Sequence, residues 1–217
     1  MTAVNEQQKR DELVLAYREL QQLGMMGQST GNVSCRFEGG MLISCTGATA
    51  KNLTAERVVK VNKDGSYEGE LRPSSEWRMH LAIYQRNVHA NAVVHTHSDY
   101  CVALASHQRG LPGFHYMVGT FGGQDIECVP YSTFGTETLA NHAAEALIRR
   151  SACLLAQHGM ICHGSTLEVA VGRANQLEIL CRHYCLASQL GEPRLLTQEQ
   201  WDEFFDRAKE MVYSNFT

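Results

Sequence analysis

Residues 33–43 read Val-Ser-Cys-Arg-Phe-Glu-Gly-Gly-Met-Leu-Ile. Val33, Cys35 and Phe37 alternate with polar residues, the period-two pattern of a half-buried strand. Glu38-Gly39-Gly40 makes a turn, and Met41-Leu42-Ile43 continues as an apolar run. This is a β-hairpin, so the sheet is built at least in part from antiparallel strands. Upstream, Leu13, Tyr17, Leu20 and Leu23 stand at helical spacing over residues 6–23, with Gly24 as the stop. Downstream, residues 58–61 read as a strand before an Asp64-Gly65 turn, and Pro73-Ser74-Ser75-Glu76 opens a helix to about residue 86 with a serine as N-cap. Residues 92–97 form a short β-branched run, followed by a helix from 99 to about 107. A strand over 126–129, a helix over 136–150 and a buried strand over 152–156 come next. Ser165-Thr166-Leu167-Glu168 fits the capping box of a long helix reaching about residue 190. Thr197 with Gln200 repeats the device before a last helix that holds Trp201, Phe204 and Phe205. Helices and strands mix without strict βαβ alternation. The expectation is an α/β fold: a single three-layer α/β/α domain over residues 1–217 with a mostly antiparallel central sheet.

Composition narrows the possible roles. At 217 residues, 44% hydrophobic and 19% charged, the chain has the make-up of one ordinary soluble domain with ample material for a core. No apolar run approaches the ~20 residues a membrane span needs. The opening MTAVNEQQKRDE is too polar for a secretion signal. The net charge of -4 comes from 19 basic and 23 acidic residues spread along the chain, with no basic stripe to meet nucleic acid or an acidic membrane. The eight cysteines, at 35, 45, 101, 128, 153, 162, 181 and 185, form no CxxC pair, and most lie among apolar neighbours. They read as free thiols packed like small hydrophobes, which points to a reducing, cytoplasmic setting.

His95-Thr96-His97 carries the most chemical information. On an extended strand, residues two apart project from one face, so both imidazoles can converge on one ion. Chance pairs and hydrogen-bonded core histidines share that spacing. A third histidine follows a second buried strand at Gln157-His158-Gly159, and Glu76 at a helix start offers a carboxylate. Three histidines with one exchangeable position is the ligand count of a catalytic zinc. His80, His89, His107, His115, His142, His163 and His183 read as structural or solvated. Three small-residue loops suit an anion: Gly27-Gln28-Ser29-Thr30-Gly31-Asn32, Thr46-Gly47 and Pro73-Ser74-Ser75. Their hydroxyls and backbone N–H groups can hold a phosphate, although none carries a P-loop lysine pattern.

GNVS at 31, TG at 46, PSSEW at 73, NAVVHTHS at 91, HYM at 115, YSTFGT at 131 and QHG at 157 occur in one order. In this order and spacing, over residues of about 10 to 190, the chain resembles the class II aldolase/adducin family. The resemblance implies a zinc-dependent aldolase. Such an enzyme cleaves a ketose 1-phosphate, L-fuculose 1-phosphate or a close relative, reversibly to dihydroxyacetone phosphate and a short aldehyde such as lactaldehyde. It implies zinc on His95, His97 and His158, with Glu76 as a further ligand and the catalytic acid/base. It places the substrate phosphate on Ser29, Asn32, Thr46, Gly47, Ser74 and Ser75, with a threonine usual where this chain has Ser29. It implies that Tyr116 donates a proton in a neighbouring subunit's site, within a homotetramer whose active sites lie at subunit interfaces. A second, C-terminal tyrosine matches Tyr213, although the tail beyond residue 190 departs from the family pattern. Sugar-phosphate epimerase, dehydratase and decarboxylase reactions share the scaffold, as does a non-catalytic adducin-like module. The epimerase carries aspartate at the position of Glu76, and a pure binding module has no use for three histidines beside a glutamate.

Overall fold

A computed structural model describes residues 5–211, so Tyr213 lies outside the described residues. The hairpin at the start of the reading forms as expected, from β1 (Asn32–Phe37) and β2 (Gly40–Ser44). Phe37 pairs with Gly40, which leaves a two-residue turn of Glu38 and Gly39 with φ of 45° and 80°. Positive φ at both positions matches the right-handed twist of the flanking strands. β3 (Val58–Val61), β4 (Ala92–Thr96), β5 (Cys128–Val129), β6 (Ala152–Leu155) and β7 (Gly159–Gly164) complete a seven-stranded sheet of order β3-β2-β1-β4-β7-β6-β5. Among the described residues only β5 and β6 pair in parallel. The sheet is therefore mostly antiparallel, and the fold is α/β.

The described residues form six α-helices: α1 (Glu6–Gln22), α2 (Trp77–Arg86), α3 (Asp99–Ser106), α4 (Glu137–Arg149), α5 (Leu167–Ser188) and α6 (Gln198–Glu210). α1 and α3 pack on α5 over one face of the sheet, while α2 packs on α4 over the other. Every residue of β4 and β7 is buried, as strands covered on both faces must be. α6 instead packs against a 3-10 segment, Tyr116–Phe121, where Phe204 lies over Gly119 and beside Tyr116. No helix is long and apolar enough to cross a membrane among the described residues. All eight cysteines are free, six of them buried.

Several sequence expectations need correction. β7 went unassigned in the sequence, and the expected strand over 126–129 shrinks to Cys128–Val129, with Ile126 in an isolated bridge to Leu111. The N-cap of α5 is Thr166, whose side chain accepts from Val169 N, so the Ser165/Glu168 capping box does not form. The box of Thr197 and Gln200 does form. A serine was expected to cap α2. Glu76 occupies that position instead and makes no side-chain cap hydrogen bond. Its carboxylate is turned away from the helix toward the imidazoles.

Candidate metal centre

The site lies at one end of the sheet, where four chain segments meet. In the register of β1 with β4, Asn32 stands opposite His95. His97 follows the end of β4, and His158 sits in the turn between β6 and β7. That turn is tight: Gln157 has φ of 55°, and its N–H bonds Ala105 O at 2.9 Å. Gly159 must lack a side chain, because a Cβ there would drive into Thr96 O. Gly31 is under the same constraint, at φ 83°, with a Cβ falling 2.8 Å from His95 O. Close backbone approach is thus what presents the histidines on either side of the pocket.

Glu76, His95, His97 and His158 bring four ligand atoms within 4.8 Å of one another. His95 Nε2 is 3.0 Å from His97 Nε2 and 3.0 Å from Glu76 Oε2, and His158 Nε2 is 3.2 Å from Glu76 Oε1. His95 Nδ1 donates to Met160 O at 2.7 Å, which leaves the Nε2 lone pair facing the cluster. Glu76 Oε1 is buried and receives no hydrogen bond. Converging lone pairs and an orphaned carboxylate oxygen repel each other unless a cation sits between them. Ligands held about 2.0–2.1 Å from a tetrahedral zinc are themselves about 3.3 Å apart, close to the separations here. The donor set fits a divalent metal.

The electrostatics agree with that fit for three of the four groups. Burial alone would raise the Glu76 carboxyl, but His95, His158 and the Asn32 amide outweigh it and hold it well below the usual carboxylate range. Burial, then the charges of His95 and His158, push His97 down to about 4. Burial and His95 do the same to His158, also down to about 4. Burial would depress His95 too, but the Glu76 carboxylate outweighs it and the shift is upward. A metal binds neutral imidazoles and an ionised carboxylate, the forms favoured for His97, His158 and Glu76, whereas His95 must give up its Nε2 proton to the ion.

A cavity of about 330 Å³ opens from this cluster. Ser29, Asn32, Thr46, Gly47, Ser74 and Ser75, from three separate loops, line it together with Glu76, His97 and His158. No lysine or arginine lines it, so an anion there meets hydroxyls, an amide and the N-terminus of α2. Tyr116 does not line this cavity. It is 53% exposed, stacked on His115 at 4.8 Å and set against Phe204 at 5.8 Å. Tyr131, Phe134 and Gln157 line the cavity without having been singled out in the sequence. The motif YSTFGT contained the first two, but a motif alone does not say which of its side chains face a pocket.

Comparison with known proteins agrees. The family described as Class II Aldolase and Adducin N-terminal domain matches residues 11–185. An L-fuculose phosphate aldolase of Escherichia coli O6:H1 is 42% identical over 175 residues, covering 81% of each chain. A 5-methylthioribulose-1-phosphate/5-deoxyribulose-1-phosphate aldolase of Rhodospirillum rubrum is 39% identical over 200 residues, covering 92% of this chain and 90% of that one. A solved L-fuculose 1-phosphate aldolase superposes with a TM-score of 0.88 at 32% identity, covering 96% of this chain and 98% of that one. The chain belongs to the class II aldolase and adducin family, and within it is a class II aldolase.

Proposed function

We propose that the protein is a zinc-dependent aldolase that cleaves a ketose 1-phosphate reversibly to dihydroxyacetone phosphate and a short aldehyde. The observation that carries this reading is the Glu76, His95, His97 and His158 cluster at the mouth of a hydroxyl-lined cavity. Relatives named for L-fuculose phosphate and for 5-deoxyribulose 1-phosphate support a substrate of that class. The two differ in the aldehyde half, and L-fuculose 1-phosphate, which yields lactaldehyde, is the first candidate.

His95, His97 and His158 hold the zinc, with Glu76 as a further ligand at rest. When bound, the ion acts as a Lewis acid that stabilises negative charge on the oxygens next to the reacting carbon. The substrate phosphate is held by Ser29, Asn32, Thr46, Gly47, Ser74 and Ser75, which fixes the ketone end against the histidines. In the synthetic direction Glu76 takes a proton from the hydroxymethyl carbon of dihydroxyacetone phosphate. That carbon's electron pair attacks the aldehyde carbonyl and forms the C3–C4 bond. Tyr116 of a neighbouring subunit gives its phenol proton to the aldehyde oxygen, which becomes the C4 hydroxyl. Cleavage is the reverse. Exposure of Tyr116 away from its own cavity supports a shared site, in a cytoplasmic homotetramer. Tyr213 is the candidate for a second tyrosine at the aldehyde end. The test is a panel of L-fuculose, L-ribulose and 5-deoxy-D-ribulose 1-phosphates, with released dihydroxyacetone phosphate followed by NADH-linked reduction. Turnover of at least one by protein holding zinc supports the reading; none of the three turned over by zinc-loaded protein rejects it.

A further inference from the structure

Glu76, His80 and Tyr84 stand four residues apart along α2, and Asn32, Ser34 and Arg36 stand two apart along β1. Four helical residues advance about 6 Å and two strand residues about 6.6 Å, so the two rows interleave. Asn32 Nδ2 donates to Glu76 Oε2 at 3.1 Å, and Asn32 Oδ1 meets His80 Nε2. His80 Nδ1 lies 2.7 Å from Ser34 Oγ, which is 2.7 Å from Tyr84 Oη. Arg36 closes the row, donating to Tyr84 O at 2.8 Å with its guanidinium 5.0 Å from the Tyr84 ring centre. Asn32, Ser34, His80 and Tyr84 are all buried, His80 and Ser34 completely. Water cannot take the place of a missing partner.

Only one direction of donation satisfies every member. The ionised Glu76 carboxylate only accepts, so Asn32 must turn its NH₂ toward it and its oxygen toward His80. His80 must then carry its proton on Nε2, so Nδ1 accepts from the Ser34 hydroxyl, whose oxygen accepts from Tyr84. Burial, with the charge of His95, pushes His80 down to about 3, so the ring stays neutral, and burial keeps the Tyr84 phenol protonated.

We propose that His80 is a positioning residue for Glu76: its Nε2–H, oriented by Ser34 and Tyr84, locks the Asn32 amide with Nδ2 toward the carboxylate. If the amide turned over, its oxygen would face Glu76 and push the carboxylate out of line. This rests on Glu76 being the acid/base of the aldolase reading.

Two readouts test it. The first uses ¹⁵N-labelled, metal-free protein, with the His80 ring nitrogens assigned by their loss in His80→Gln. A neutral Nε2–H tautomer throughout pH 5.5 to 8 is expected; an Nδ1–H tautomer, or a ring that protonates in that range, overturns the proposal. The second uses zinc-loaded protein and follows deuterium uptake by dihydroxyacetone phosphate in D₂O. His80→Phe and Ser34→Ala should lower kcat by the roughly 10–100-fold typical of lost hydrogen-bond partners behind a metal ligand, with KM for dihydroxyacetone phosphate little changed. His80→Gln, whose amide N–H reaches toward Asn32, should recover most of the loss. In an Asn32→Ala background, His80→Phe should add nothing. Wild-type kcat in folded His80→Phe, or the same loss in the Asn32→Ala background, overturns the proposal. If His80→Phe does not fold, Ser34→Ala decides on the same two readouts. If wild-type protein exchanges no deuterium, the aldolase reading fails, and the tautomer measurement alone decides the hydrogen-bond chain.

Discussion

Glu76 holds a position where a serine or aspartate would satisfy helix N–H groups, yet its carboxylate turns instead to His95 and His158. The proposed mechanism gives that carboxylate the role of acid/base. Substituting glutamine keeps the shape and removes the charge. Glu76→Gln should still bind one zinc per chain and dihydroxyacetone phosphate, while turnover falls by roughly 10²–10⁴-fold. Elemental analysis, calorimetric titration and steady-state rates on one preparation check this; wild-type turnover would remove Glu76 from the mechanism. At this scale the four-residue cluster was largely legible. His95 and His97 are two residues apart, and each loop of the hydroxyl-lined cavity carries its own small-residue pattern. His80 was not legible. Its partners lie 46 and 48 residues away, on a strand, and a helical histidine looks the same whether it is solvated or buried against a sheet.

Elements were read best where periodicity was strong and worst where burial hid it. The hairpin and the capping box at Thr197 carried their own turn and cap chemistry. β7, Gly-Met-Ile-Cys-His-Gly, is buried at every position and shows neither alternation nor a β-branched run. Such a strand can be recognised only once β4 and β6 are in place on either side. Its first residue makes the dependence testable. Gly159→Ala forces a methyl group against Thr96 O and within 3.2 Å of His97 Cδ2. It should destabilise the protein by about 1–3 kcal/mol, the usual range for an overpacked core, and weaken metal binding through His97 and His158. Urea unfolding and zinc titration of the variant measure both effects. Unchanged stability together with unchanged zinc affinity would mean that the turn is looser than described.

Two properties belong to the whole molecule. His163, buried and near the Arg173 charge, is pushed down to about 4, and His80 down to about 3. In the unfolded chain both return to about 6.5, so the unfolded state binds protons first as pH falls below that value. Stability conferred by neutral burial is therefore complete above about pH 6.5 and declines toward pH 4. At pH 5 the loss for metal-free protein should be on the order of 2 kcal/mol per histidine. Urea unfolding at pH 7.5 and 5.0 should show the drop, smaller in His163→Gln; stability that holds level would contradict it. The second is the proposed sharing of the site between subunits. Tyr116→Phe and Glu76→Gln chains, each inactive alone, should regain activity when mixed into common oligomers, because some sites then carry both wild-type groups. No recovery in verified mixed oligomers would confine the chemistry to one chain.

In the proposed mechanism a metal held by three histidines lets Glu76 take a proton from carbon. Hydrogen exchange at dihydroxyacetone phosphate tests it without any aldehyde and without knowing which ketose the protein cleaves. In D₂O, zinc-loaded wild-type protein should place one deuterium on the hydroxymethyl carbon, seen by proton NMR, while metal-free protein and zinc-loaded Glu76→Gln should not. No exchange by zinc-loaded wild type, or equal exchange by Glu76→Gln, would contradict the account.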